Sequence, residues 1–132
     1  MLDGLYHKDV YLPSKLENST RHELFMRDKN SLIITNHVLN KIDTNWNRKF
    51  SINDINYNKI THSNIIEVEV LNGKIHKSVV RYKLNRKFDI CVVILLRNDY
   101  DNKCFKIKTC WLNSRYDSHI TLNQSKYIVS KN

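Results

Sequence analysis

Between Thr109 and Thr121 the chain brings Asn113, Arg115, Asp117 and His119 together with the two threonines. Histidine can both give and take a proton near neutral pH. Arginine offers a planar fork that matches phosphate and keeps its charge. An imidazole, a guanidinium and hydroxyls in one short span therefore suit proton transfer beside an anionic centre. His119, Arg115, Thr121 and Lys126 are close enough in sequence to serve one such site, with His37 or Arg81 reaching in from elsewhere. Each has a plainer reading beside it. His119 could be a surface imidazole bonded to Asp117, and His37 a residue that favours a helix start. Arg81 and Arg86 read as phosphate contacts or as charges on a sheet face, while His7, His22, His62 and His76 are dispersed and read as solvent-exposed.

The elements that must position these groups are legible in the pattern. Ile90 to Leu96 is a short, largely β-branched apolar run, which predicts a buried strand and is too short to cross a membrane. Phe105, Ile107, Thr109 and Trp111 alternate with Lys106, Lys108 and Cys110, which predicts a second strand with Trp111 in the core. Turn-forming residues from Asn98 to Asn102 join the two as a hairpin. Lys103, Lys106 and Lys108 make a basic stripe beside it that suits an RNA backbone. Upstream, Asn72-Gly73 is a type I′ turn signal between strands over 64–71 and 74–84. That turn sets Val68 opposite Lys77, a mismatch that a bulge would repair. Glu67 and Glu69 are expected to pair with Lys or Arg across the sheet.

The first part of the chain reads as short helices. Thr20 with Glu23 predicts a capping box and a helix over 21–27. Ser31 to Thr35 reads as extended, and Asn36 as the N-cap of a helix burying Val38, Leu39 and Ile42. Ser51 with Asp54 is a further start signal, with Ile52, Ile55 and Ile60 as the apolar face. The sum is one α+β domain over 1–132, with short N-terminal helices packed on a four-stranded antiparallel meander sheet. Residues 1–30 form an irregular and helical wrap, 31–60 are helical, 61–113 form the sheet and 114–132 a tail. The other sheet face is expected to be open and to carry Lys and Arg.

Composition narrows the function. The net charge of +9 favours a polyanionic partner, RNA above all, or an acidic protein surface. With 2 Gly and 1 Pro there is no glycine-rich phosphate loop and no flexible linker. The 3 cysteines lack paired metal-ligand spacing, so no metal or other cofactor is expected and the thiols read as free. The start, MLDGLYHKDVYLPSK, has no apolar stretch of signal-peptide length, which predicts a cytoplasmic protein without a membrane segment.

The segments IITNH, SINDI, DICVVI and KTCWLNSRYDSHITLN, spread over about residues 31–127, resemble small phage and bacterial proteins laid out like the barnase–colicin–RelE-like ribonuclease toxins. The resemblance implies metal-independent RNA cleavage in a host cytoplasm. It matches His37 at a helix start, Arg81 or Arg86 near the second strand, Thr109 on the last strand and His119 after it. Lys106, Lys108, Arg115, Thr121 and Lys126 would then bind substrate. Asn47-Arg48 stands where such proteins carry an arginine-rich turn. The alternative is a non-catalytic phage protein that binds a host protein or nucleic acid through its basic surface. A homodimer paired through an exposed edge strand is a third option.

Overall fold

The computed structural model describes residues 16–44, 49–98 and 100–116, together with the backbone of 8–11. Its elements run β1 (Lys8–Tyr11), α1 (Glu17–Phe25), β2 (Ile33–Ile34), α2 (Asn36–Thr44), α3 (Tyr57–Thr61), β3 (Asn64–Leu71), β4 (Lys74–Lys83), β5 (Phe88–Leu95) and β6 (Lys106–Ser114). They build an α+β fold on one six-stranded sheet of order β1-β3-β4-β5-β6-β2.

The antiparallel meander read from the sequence is the centre of this sheet, β3 to β6. Four strands is a correction upward. β1 adds to the edge of β3, and β2 runs parallel to β6 with Ile33 N–H bonded to the Phe105 carbonyl at 2.9 Å. These edge strands hold 4 and 2 residues. They are held by backbone pairing to an exposed edge, which needs no side-chain periodicity.

The turn chemistry holds. Asn72 and Gly73 take φ of 52° and 79°, as a type I′ turn requires. Val68 pairs with Ser78 because His76 is an extra residue in β4, so the expected bulge is present near the turn. A further bulge was not foreseen. Val93 pairs with Thr109 and Ile94 with Ile107, which leaves Lys108 unpaired in β6. One extra residue exchanges the two faces beyond it. Phe105 and Ile107 enter the helix-side core, and Cys110 and Leu112 continue it, rather than Thr109 and Trp111. Trp111 instead packs on a second cluster of Ile66, Val79, Cys91 and Val93 on the opposite face.

The helices differ at their ends. α1 begins at Glu17, with no side-chain cap at Leu16, and Thr20 is buried inside it rather than capping it. α2 starts on Thr35 rather than Asn36, with the Thr35 carbonyl and Oγ1 accepting the Val38 N–H at 3.1 and 3.4 Å; Val38 and Ile42 are buried as expected, and Leu39 is half-buried. The Ser51–Asp54 capping box is formed, and Ile55 and Ile60 are buried while Ile52 is exposed. Among the described residues no helix is long and apolar enough to cross a membrane.

Candidate functional site

Helix α2 packs against β6. His37 and Lys41 lie one helical turn apart, so both side chains leave the same side of α2. They meet at Thr109, which the Lys108 bulge has put out of the helix-side row. Lys41 Nζ donates to Thr109 Oγ1 at 3.1 Å, and His37 Nε2 stands 3.4 Å from the same oxygen. His37 is exposed, and Lys41 and Thr109 are half-buried. Since Lys41 can only donate, the Thr109 hydroxyl keeps its own proton for another acceptor. With a neutral His37 protonated on Nδ1, that acceptor is Nε2; with a charged imidazole the bond runs from Nε2–H to Oγ1. Half-buried Lys106 and exposed Lys108 flank the cluster on β6.

Of the residues singled out from sequence, the structure brings together His37 and Thr109 and adds Lys41. Its four-residue spacing from His37 was the available signal. Arg81 is held elsewhere. On β4, two strands from Thr109, its Nε donates to Asp89 Oδ2 at 2.7 Å and a terminal nitrogen to the Ser114 carbonyl at 3.1 Å. It is 8 % exposed. Arg115 Nε also reaches Asp89, at 3.4 Å, and Arg86 is exposed in the turn between β4 and β5. These three arginines therefore gather at the β4–β5 turn, away from Thr109. His119, Thr121 and Lys126 lie outside the described residues, as do Asp117, His7 and Asn47-Arg48.

The sheet face away from the helices is mixed rather than uniformly basic. Its middle is the apolar Trp111 cluster. Glu69 pairs with Lys77 across the strands at 3.3 Å, in line with the expected acid–base pairing. His76, expected to be exposed, is half-buried with Nδ1 3.0 Å from Glu69 Oε1. The bulge aims it there. His22 and His62 are exposed. Cys91, Cys104 and Cys110 are free and buried. Burial pushes the Cys91 thiol up to about 12 and Cys110 to about 11. Among the described residues no group of three or more His, Cys, Asp or Glu side chains is placed to hold a metal ion.

No family model matches the chain, and searches of curated proteins and of solved structures found no match.

Proposed function

We propose that the α2–β6 edge binds RNA and cleaves it by acid–base chemistry without a metal. The observation that carries this reading is the convergence of His37 and Lys41 on Thr109 Oγ1 at 3.4 and 3.1 Å. In this reading neutral His37 accepts the proton of a ribose 2′-hydroxyl through Nε2. The 2′-oxygen attacks phosphorus, the bond to the 5′-oxygen breaks, and a 2′,3′-cyclic phosphate forms. The leaving oxygen takes a proton from an acid, a role open to His119, the other histidine that the resemblance matches. Lys41 offsets the charge that gathers on the phosphoryl oxygens, and the Thr109 hydroxyl holds the imidazole until substrate replaces it. The net charge of +9 supplies attraction to the RNA backbone.

The test is cleavage of total RNA by the purified protein in EDTA. Wild type cleaves, and His37→Ala loses on the order of 100-fold or more. A folded wild type that leaves RNA intact overturns the reading. A binding role toward a host protein or nucleic acid then takes its place. That second reading is favoured by one observation: Arg81, a cation expected at the reaction, is committed to Asp89 and Ser114.

A further inference from the structure

The Asn72-Gly73 turn and the connection between β5 and β6 lie at one end of the sheet, and a cleft of about 240 Å³ separates them. Its polar lining is Asn72, Lys74, His76, Arg97, Asn98 and Asn102. Among the described residues no carboxylate lines it. Three of these side chains are cationic or can become so, and the other three are amides. A second cleft of about 290 Å³ adjoins it, shares Lys74, Arg97 and Asn102, and adds His22, Arg27 and Lys103 together with one carboxylate, Glu23, which is paired with both arginines.

Three of the lining side chains, those of His76, Arg97 and Asn98, are held in place by the fold, and Lys74 is exposed beside them. The backbone N–H groups of Leu96 and Arg97 both bond to the carbonyl of the bulge residue His76, at 2.8 and 3.3 Å, which fixes the exit of β5 against β4. His76 Nδ1 faces Glu69, so its Nε2 is the ring nitrogen left for a ligand. The Arg97 guanidinium is clamped between the Ile75 carbonyl and Glu23 Oε2, and its buried Nε has no hydrogen-bond partner among the described residues. Asn98 Oδ1 accepts from the N–H groups of Tyr100 and Asp101 at 2.8 and 2.7 Å, which turns its amide NH₂ away from the loop. Glu69, which faces His76 and Lys77, and Glu23, which lines the adjoining cleft, are each already between two basic side chains. Held donors, positive charge and no acid among the described residues that line this first cleft define a site for an oxyanion. The volume is below the roughly 300–1,000 Å³ of drug-sized pockets and suits a phosphate with a small organic group.

We propose that this cleft binds a phosphomonoester group, with Lys74, Asn98 and, in its charged form, His76 through Nε2–H donating to its oxygens and Arg97 as the fixed charge behind them. The site is separate from the His37 cluster and does not rest on the RNA-cleavage reading. The test is calorimetric titration of the whole protein at low salt with inorganic phosphate, adenosine 5′-monophosphate and adenosine. The two phosphates bind saturably and adenosine does not. Lys74→Gln weakens binding about tenfold or more, as loss of a charged hydrogen bond should. Lys87→Gln, which removes an exposed cation at the opposite end of the sheet, leaves it unchanged. His76→Gln gives a second reading of the same loss should Lys74→Gln fail to fold. A 5′-phosphorylated oligoribonucleotide that binds more tightly than the mononucleotide, and depends on Lys74, makes an RNA end the source of the group. Equal or weaker binding makes it a small molecule. The proposal is overturned by absence of saturable phosphate binding, by equal weakening in the Lys74 and Lys87 variants, or by equal competition from an unphosphorylated oligomer. His37→Ala should leave this binding intact, so its outcome stands apart from the cleavage assay.

Discussion

Thr109 has one proton to donate, and Lys41 leaves it with His37. The ammonium occupies a lone pair of Oγ1 at 3.1 Å, and the imidazole is the other neighbour, at 3.4 Å. If this contact positions the base, Thr109→Val should lower RNA cleavage on the order of tenfold or more, and Thr109→Ser should restore most of it, measured as initial rates in EDTA. Equal rates for the Val and Ser variants would sink the positioning role. Arg81 calls for a different measurement. Its ion pair with Asp89 is 2.7 Å long, with the two side chains 10 % and 15 % exposed. Removing Arg81 leaves Asp89 with only the longer Arg115 contact and takes the donor from the Ser114 carbonyl, so Arg81→Ala should destabilise the fold by up to roughly 3 kcal/mol, read from urea midpoints. A variant as stable as wild type would show that the pair contributes nothing to the fold.

At the level of elements, single extra residues decide which side chains meet. The Lys108 bulge puts Thr109 and Trp111 out of the row that Phe105 and Ile107 begin. The His76 bulge in β4 aligns Val68 with Ser78 and brings the imidazole to Glu69. The turn between β3 and β4 depends on a left-handed Gly73, at φ 79°, where an added Cβ would meet nothing within 4 Å. Gly73→Ala should therefore cost only backbone strain, about 1 kcal/mol, visible as a lower thermal midpoint. A much larger loss would mean that the turn is packed rather than open.

Across the whole molecule, Glu23 and two arginines tie α1 to the far end of the β5–β6 hairpin. Arg27 donates to the carbonyls of Cys104 and Leu96 at 3.0 and 2.8 Å, and Arg27 and Arg97 both bind Glu23. Burial works to raise the Glu23 carboxyl, but hydrogen bonds and charge from Arg97 and Arg27 outweigh it and hold it below its ordinary value. A carboxyl depressed in the folded state stabilises fully above its unfolded value, near 4.5, and that contribution is lost as pH falls through the folded value. Unfolding by urea at several acidic pH values should show this slope, and Glu23→Gln should flatten it. Thiol chemistry reports on the same packing. Cys91 and Cys110 are fully buried with raised thiol values, so alkylation should be slow in the native protein and fast in urea.

Short-range chemistry made much of this fold legible from residue order. The Asn72-Gly73 turn, the β-branched run at Ile90, the Ser51–Asp54 box and the Val38–Ile42 face each depend on neighbours along the chain. Their physics is local, so the pattern carries it. His37 and Thr109 are each marked by residue type and place in their elements, and Lys41 by its four-residue spacing from His37. Packing alone decided the rest. A bulge is one residue that no alternation marks, yet it reversed the sides of Thr109 and Trp111. Edge strands as short as Ile33–Ile34 form because an unpaired backbone is waiting beside them. Arg81 looked like a cation available to a substrate until Asp89 and the Ser114 carbonyl were brought against it. Such outcomes turn on which distant segments share a face. That is settled when the sheet closes its register and the helices cover it, because a partner across the sheet leaves no mark in the residues beside it in the chain.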